Sequence, residues 1–461
     1  MVIIESILAF IVLVGILVFV HEMGHFLAAR WCGVRADVFA VGMGPRLFGW
    51  NRRNGFTFGK LPEDLDLEGG TDYRLSAFPI GGYVKIAGMV DESMDTEFVS
   101  QAPQPWEFRS KNTLQKAFII SAGVIMNFLL AIVVFAILNF SEGKTLAATT
   151  TVGPLPKDGP ALAAGLREGD RITAINGEEI KYFEDITRGI YIDHPTDDIT
   201  LAVDRGGMPM TIKIPRASIP DPSSGQPIIP HSAFNHPTIV SVLEGSPAEK
   251  AGLKPDDVIA TADGKPMTTR DQLIEHIGKN DGQPITLGIQ RGSSNPGTVP
   301  ITVTPGADGK IGTELTDGYH GPRTNIDYGL FEALATGWDE TMTVTAGTFG
   351  LVGRLVTGNA NLKESVGGPG KIAVIAQQTA SRGLTEFLKL MGILSVTLAC
   401  MNILPIPALD GGHLVFILVE GIFRREVPLK IRMAVQQVGF ALLIIFMAFV
   451  LYNDATWMVG K

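Results

Sequence analysis

The sequence predicts a multi-pass α-helical membrane protein with four transmembrane helices, a membrane-associated β-hairpin or sheet, and two tandem α+β domains. Three observations predict this class: four long apolar stretches, an internal repeat, and strand-like runs broken by glycines. The chain has 461 residues, of which 46% are hydrophobic and 18% charged, a composition shifted toward membrane proteins. Its net charge of -9 and the lack of a basic aromatic stripe give no indication of a nucleic-acid partner.

Four stretches are long and apolar enough to cross a bilayer, which takes about 20 residues per helix. They lie at about Val2–Leu27, Ala117–Phe140, Leu388–Pro405 and Ala434–Tyr452. The first has no basic residue before it and runs directly into a metal-binding motif, which favours a retained span over a cleaved signal peptide. The third is the weakest, because it carries polar and helix-breaking residues. The transmembrane segments are therefore predicted at 1–31, 117–140, 385–412 and 434–453.

Basic residues close to the spans set the predicted orientation. They flank the first long loop and the connection between the third and fourth spans: Arg30, Arg35, Arg46, Arg109, Lys111, Lys116, Arg424, Arg425, Lys430 and Arg432. The positive-inside rule puts the region 32–116 and the loop 413–433 in the cytoplasm and both termini outside. The lipid bilayer is thus an expected partner, and the region from 141 to about 385 is expected on the outer side.

An internal repeat occupies this outer region. The segment 159–172 recurs as 246–259 at a constant offset of 87 residues. In each copy a short helix closes at a glycine, and a turn leads into a strand and a tight Asn-Gly or Asp-Gly turn. The pattern resembles two bacterial PDZ domains, which we place at 141–232 and 233–318. Such domains commonly bind extended peptides at a sheet edge, although two spacers or a steric screen would have the same pattern.

The segment 319–384 follows the repeat, and its part from 328 to 355 is amphipathic. Its apolar side chains are Phe331, Leu334, Trp338, Val344, Phe349 and Leu351. We expect this part to lie along the outer membrane surface. A helix packed on the two repeated domains is the alternative.

The region 32–116 contains alternating runs at 39–44 and 73–86 that are typical of strands with glycine breaks. Backbone at membrane depth must be paired within the protein or line a cavity. A small sheet beside the membrane helices would meet this requirement, and its edge could hold a substrate strand. A purely cytosolic hairpin is the alternative.

The chemistry-bearing motif is His21-Glu22-Met23-Gly24-His25, at the end of the first span. Positions four apart share a helix face, so the two histidines can bind one metal ion together. The glutamate beside them could take the proton of a metal-bound water. Ionisable groups in a membrane helix are costly and usually functional. Two histidines at a helix end that reach toward the interface are the alternative.

A hydrolytic zinc site needs a third protein ligand, and Asp410 is the candidate. It follows Pro405 and Pro407, which break the third span, and a carboxylate near an apolar environment requires a cation. It could instead cap the helix predicted from the following apolar run. His413 could also be a ligand, but a supporting or capping role is favoured. Asn402 and Asn127 are lone amides in apolar spans, with either a structural role or a role in holding substrate.

Four features together carry a family resemblance. They are the His21–His25 motif, the run Pro79-Ile80-Gly81-Gly82-Tyr83-Val84-Lys85, the tandem repeat, and the run from Asn402 to Gly412. In this order they cover nearly the whole chain. The chain resembles the site-2 protease family of M50-type intramembrane zinc metalloproteases, most closely its bacterial regulator-of-sigma-E branch with tandem PDZ domains.

The resemblance implies that His21, His25 and Asp410 bind Zn2+ and that Glu22 is the general base. It also implies that Asn402 helps to hold the substrate, and that one strand borders the substrate cleft, formed by Gly81, Gly82, Tyr83, Val84 and Lys85. The chain departs from the family in the second span, where Val124 stands at a position that is often proline. A straighter helix is therefore possible there, and a substrate role for Asn127 does not carry over.

The resemblance further implies cleavage within transmembrane segments of single-span proteins, such as anti-sigma factors or remnant signal peptides, at the bacterial inner membrane. A bulky outer domain on the substrate would collide with the repeated domains, so we expect prior trimming by another protease. A membrane-anchored scaffold with a vestigial metal site is disfavoured by the intact set His21, Glu22, His25 and Asp410. A metal transporter would need more polar residues in its spans.

Overall fold

The computed structural model describes residues 2–62, 65, 67, 69–89, 102–194, 196–220, 227–280, 282–291, 297–306, 309–358, 367–425 and 427–459. The chain divides into two compact units. One consists of Met1–Gly143 and Asp327–Lys461 and is called the membrane unit below, and the other, Lys144–Ile326, is called the repeat unit.

The helices and strands are, in chain order, α1 (Val2–Trp31), β1 (Ala36–Asn51), β2 (Gly55–Phe58), β3 (Asp72–Ile86), α2 (Thr113–Glu142), β4 (Lys144–Ala147), α3 (Pro160–Ala163), β5 (Arg171–Ile175), β6 (Glu178–Glu179), α4 (Phe183–Arg188), β7 (Ile199–Arg205), β8 (Met208–Ile214), β9 (Asn235–Val242), α5 (Pro247–Lys250), β10 (Val258–Ala262), β11 (Lys265–Pro266), α6 (Arg270–Lys279), β12 (Ile285–Gln290), β13 (Val299–Val303), β14 (Thr313–Tyr319), β15 (Arg323–Ile326), α7 (Leu330–Val356), α8 (Pro369–Arg382), α9 (Leu384–Ile403), α10 (Asp410–Phe423) and α11 (Leu429–Val459).

Four helices of the described part of the chain are long and apolar enough to cross a membrane, and they coincide with the predicted stretches. Their apolar parts are Ile4–Trp31, Thr113–Glu142, Leu384–Ile403 and Leu429–Thr456. The third of these helices ends where the prolines predict. Leu404, directly before Pro405, has extended backbone angles, because a following proline disfavours the helical conformation.

One segment of the membrane unit is helical where a loop was predicted, and the amphipathic segment packs on two of the long apolar helices. Most of the stretch predicted as the loop 413–433 is helical, because the apolar residues after Asp410 continue as α10 up to Phe423. The amphipathic segment forms α7, which packs against α2 and α9. Its buried residues Ala333, Gly337 and Thr341 are small and spaced by four, so the two backbones approach closely. A Cβ atom on Gly337 would lie 2.7 Å from the carbonyl oxygen of Ile132 in α2.

The sheet of the membrane unit has the order β2-β1-β3, and both long strands bend so that each occupies two places in it. Phe39 in the first half of β1 pairs with Tyr73 on one side and with Val84 on the other. The second half of β3, residues 82–86, therefore forms one edge of the sheet. Within the described part of the chain, β3 pairs only with β1.

A buried ion pair ties the bent strands together. Arg46 and Asp72 are 6% and 2% exposed, and their side chains form two hydrogen bonds of 3.1 and 3.2 Å. The same guanidinium donates to the carbonyl oxygens of Thr57 and Gly59 at 3.0 and 2.8 Å. A buried charge is tolerated when its partners satisfy it in this way, so the pair fixes the bend of the sheet.

The repeat found in the sequence is present in the structure as two sets of elements in the same order. The first repeat runs from α3 to β8 and the second from α5 to β13. Equivalent ion pairs support them: Arg205 contacts Asp170 at 2.7 Å, and Arg291 contacts Asp257 at 2.6 Å. The end of the first repeat is packed as well, since Ile228 and Ile229 are buried in its core.

Candidate metal centre

Helix α1 presents the two motif histidines on one face. His21 and His25 are 7% and 8% exposed, and their Nε2 atoms lie 3.2 Å apart. The two rings are nearly perpendicular, with centroids 4.9 Å apart. The spacing of four residues therefore brings two imidazole nitrogens to one point, as the sequence predicts.

Asp410 reaches the same point from the start of α10. Its Oδ2 atom lies 3.2 Å from Nε2 of His21 and 3.4 Å from Nε2 of His25. The turn before it is tight, with a positive φ of 74° at Ala408. A Cβ atom on Gly411 or Gly412 would collide with carbonyl oxygens of this turn, so only glycine fits there.

The three donor atoms fit a tetrahedral metal ion. Zinc bonds to nitrogen and oxygen of about 2.0 to 2.2 Å place neighbouring tetrahedral ligands about 3.3 to 3.5 Å apart. The measured separations are 3.2, 3.2 and 3.4 Å. Oδ2 of Asp410 is buried and accepts no hydrogen bond, as expected of an atom that faces a cation. Three protein donors leave a fourth position for water or substrate.

The alternative role of Asp410 as a helix cap does not match its position. The N-cap residue of α10 is Leu409, and no side chain caps this helix. His413 lies outside the group of possible metal ligands found among the described residues, which contains His21, His25 and Asp410. One ring nitrogen of His413 lies 3.2 Å from Nε2 of Gln436 in α11, which agrees with a supporting role.

Helix α2 supports both histidines from a single face. Nδ1 of His25 donates to the carbonyl oxygen of Ile119 at 2.9 Å, and the carboxamide of Asn127 lies 3.1 Å from Nδ1 of His21. Between them, Gly123 leaves room for the rings, since a Cβ atom there would lie 2.7 Å from Cε1 of His21. The sequence leaves the role of Asn127 open and by itself assigns no role to Ile119 or Gly123. Ile119, Gly123 and Asn127 are spaced by four residues in a long apolar helix, and this spacing is the sequence pattern that indicates a shared face.

Glu22 lies between the metal ligands and the sheet. Its carboxylate is within electrostatic range of His21, His25 and Asp410. A Cβ atom on Gly82 would come 3.1 Å from Cγ of Glu22. The predicted substrate strand therefore approaches the motif at Gly82; it consists of Gly81, Gly82, Tyr83, Val84 and Lys85. Val84 packs into the adjoining hydrophobic core.

Asn402 approaches the cluster from the last turn of α9. Its Nδ2 atom lies 3.4 Å from Nε2 of His21. One face of the same helix carries Ser395, whose hydroxyl donates to the main-chain oxygen of Asn127 at 2.8 Å. The structure thus brings together His21, Glu22, His25, Asn402 and Asp410, with Gly82 beside them.

Comparison with known proteins agrees with this geometry. Residues 9–446 match the model of peptidase family M50. A protein of Neisseria meningitidis whose name describes it as a zinc metalloprotease is 31% identical over 476 residues, covering 99% of this chain and 100% of that protein. Regulator of sigma-E protease RseP of Escherichia coli is 31% identical over 466 residues, covering 97% of each chain. Protease RseP of Yersinia pestis is 30% identical over 469 residues, covering 97% of this chain and 98% of that protein. The chain therefore belongs to peptidase family M50 and is a zinc metalloprotease.

Proposed function

We propose that this protease cuts peptide bonds within the bilayer, that His21, His25 and Asp410 hold its zinc ion, and that Glu22 is the general base. One observation carries the proposal: three donor atoms with tetrahedral spacing converge between apolar helices from opposite ends of the chain. Such groups in a membrane segment are costly unless they bind a partner. A catalytic zinc site has this composition, with three protein ligands and one open position.

Glu22 and Asn402 have different proposed roles beside the bound zinc ion. Bound zinc supplies Lewis-acid chemistry, which lowers the pKa of a water ligand to about 7 and polarises a carbonyl. Glu22 accepts the proton from the attacking water and then gives it to the leaving amine. Asn402, directed at the same point, donates a hydrogen bond to a main-chain oxygen of the substrate and so holds the scissile segment in place.

The edge of the sheet is the proposed docking place for the substrate. A transmembrane helix hides its carbonyl groups in its own hydrogen bonds, so it must unwind before hydrolysis. The strand at 82–86 lies at one edge of the sheet and approaches Glu22 at Gly82. Pairing with this edge replaces the hydrogen bonds that the unwound substrate loses. Helix-weakening residues in the substrate should therefore speed cleavage.

The proposed substrates are single-span membrane proteins. Relatives named regulator of sigma-E protease support regulators of the anti-sigma-factor type, and remnant signal peptides offer the same single helix. We place the chain in the bacterial inner membrane, with its four spans as a multi-pass domain and the active site toward the cytoplasm. The two repeats are proposed to be PDZ domains on the outer side that bind peptides or outer segments of the substrate.

Prior trimming of the substrate follows from this arrangement, because a bulky outer domain and the two repeats would compete for space on the same side. The test compares cleavage of a full-length single-span substrate with that of the same protein lacking its outer domain. We expect only the shortened form to be cut quickly. Equal rates would remove the trimming requirement while leaving the chemistry untouched.

The decisive experiment compares wild type with Glu22→Gln, both expressed in cells that lack the native copy. Membrane proteomics should find substrate fragments only with wild type, while purified Glu22→Gln keeps one zinc ion per chain. Loss of the fragments identifies the substrates directly. Unchanged fragments in the variant would refute the role of Glu22.

A further inference from the structure

The side chain of Asn127 contacts the metal centre without being a ligand. Asn127 is 0% exposed in the middle of α2. Its carboxamide nitrogen Nδ2 lies 3.1 Å from Nδ1 of His21. Its carboxamide oxygen Oδ1 is buried and forms no hydrogen bond. A buried carbonyl oxygen without a donor is costly, so this arrangement requires an explanation.

The chemistry of His21 supplies one. Its Nε2 atom faces His25 and Asp410 at 3.2 Å each, so Nε2 must offer a lone pair if it binds a metal ion. A neutral imidazole then carries its proton on Nδ1 and needs an acceptor there. The two ends of a carboxamide have nearly the same shape, and a half-turn of the group exchanges them. After that turn Oδ1 accepts the Nδ1 proton, and the orphaned oxygen gains its donor.

We propose that Asn127 is a positioning residue whose carboxamide oxygen accepts the Nδ1 proton of His21 and thereby fixes the tautomer in which Nε2 binds zinc. The inference rests on the proposed zinc site. Acceptors of this kind orient metal-bound histidines and raise their basicity. His25 has the same arrangement, because its Nδ1 faces the main-chain oxygen of Ile119 at 2.9 Å.

The position of Asn127 is itself constrained from two sides. Ser395, also 0% exposed, donates to the main-chain oxygen of Asn127 at 2.8 Å and so links α9 to this point. Helix α2 is continuous from Thr113 to Glu142, with Val124 inside it and no proline to bend it. Ile119, Gly123 and Asn127 consequently stay on one face, two turns apart from first to last.

The test measures zinc affinity in a Glu22→Gln background, so that proteolysis plays no part. Asn127→Leu removes the acceptor with little change in volume, and Asn127→Asp keeps an acceptor but has no N–H donor. Chelator competition on the full-length protein in detergent should show zinc bound 10- to 100-fold more weakly by the leucine variant. The aspartate variant should bind zinc as tightly as the parent or more tightly. Nitrogen-15 shifts of His21 should show a protonated Nδ1 in the parent and in Asn127→Asp.

Asn139→Leu is the matched control, since it removes another buried carboxamide of α2 that bonds to Phe135 and Glu340. It should leave zinc affinity unchanged. Unchanged affinity in Asn127→Leu, or affinity at least tenfold weaker in Asn127→Asp, would overturn the inference. If the leucine variant does not accumulate, the aspartate variant decides alone. The proposed zinc site is tested separately by His21→Ala. If this variant binds zinc as tightly as the parent, the proposed zinc site itself is wrong.

Discussion

The Nε2 atom of His21 lies 3.2 Å from Oδ2 of Asp410, although the two residues come from opposite ends of the chain. One belongs to a helix that begins at Val2, and the other starts a helix after the third apolar span. The contact joins the first apolar helix to the broken end of the third. The proposed metal centre therefore forms only when these two segments come together.

Replacement of Asp410 by alanine should abolish zinc binding. In Asp410→Ala two histidines remain, which is too few protein ligands for a catalytic zinc site. Metal analysis of purified protein should find far less than one zinc ion per chain. His413→Gln is the control, because this ring contacts Gln436 instead of the donor cluster. Equal zinc content in Asp410→Ala and wild type would contradict the assigned ligand set.

A methyl group at position 123 should disturb the rings of both histidines. In Gly123→Ala the new Cβ atom would overlap Nε2 of His25 and lie 2.7 Å from Cε1 of His21. We expect zinc affinity at least tenfold weaker, measured by chelator competition. Gly15→Ala is the matched control in α1, since nothing lies within 4 Å of its added carbon. A helix with alanine there is slightly more stable, by about 1 kcal/mol at most. Similar zinc affinity in Gly123→Ala and Gly15→Ala would mean that α2 shifts to accommodate the methyl group without weakening zinc binding.

Gly82→Val should separate catalysis from metal binding. The added side chain would crowd Glu22, whose Cγ lies 3.1 Å from the position of a Cβ atom on Gly82, and also the carbonyl oxygen of Ala40 and Cγ1 of Val18, each at 2.8 Å. It would leave the three donor atoms in place, so zinc content should stay at one per chain while cleavage falls by a factor of about 100 or more, as for other misplaced catalytic groups. Gly82→Ala should show a smaller loss. Normal cleavage by Gly82→Val would exclude close approach of this strand to the general base.

The buried ion pair of the first repeat should stabilise it locally. Burial alone would raise the pKa of Asp170, but the hydrogen bonds from Arg205 and from the main-chain N–H of Arg167, together with the charges of both arginines, outweigh this and lower the pKa below 3.8. The ionised carboxylate therefore contributes stability at neutral pH, and this contribution is lost as the pH falls from 3.8 through the lowered value. Arg205→Gln leaves the carboxylate of Asp170, whose side chain is 1% exposed, without its charged partner and should destabilise the first repeat.

Hydrogen exchange of the full-length protein at pH 7 measures this change as faster opening of residues 165–205. The control is Arg171→Gln, because Arg171 pairs with Asp204 at the surface, with 57% and 30% of the two side chains exposed. An exposed pair of this kind contributes little to stability. Equal exchange in the two variants would show that burial adds nothing to the first pair.

The sequence alone determined the features that depend on neighbouring residues. Apolar composition located the four helices that are long and apolar enough to cross a membrane, and the four-residue spacing of His21 and His25 placed both rings on one helix face. Pro405 and Pro407 ended α9 because a proline constrains the residue before it. The internal repeat predicted two similar sets of elements, since equal local sequences form equal turns and strands.

Only the tertiary structure decided what depends on contacts between distant segments. Local sequence left Asp410 between a cap and a metal ligand, because both roles suit a carboxylate at the start of a helix. In the structure Oδ2 of Asp410 lies 3.2 Å from Nε2 of His21, which supports the proposed role as a metal ligand. The packing of α2 on α1 brings Asn127 to His21. The edge position of residues 82–86 likewise arises because β1 pairs with both halves of β3. Such partners depend on the packing of segments remote in sequence, which no local pattern encodes.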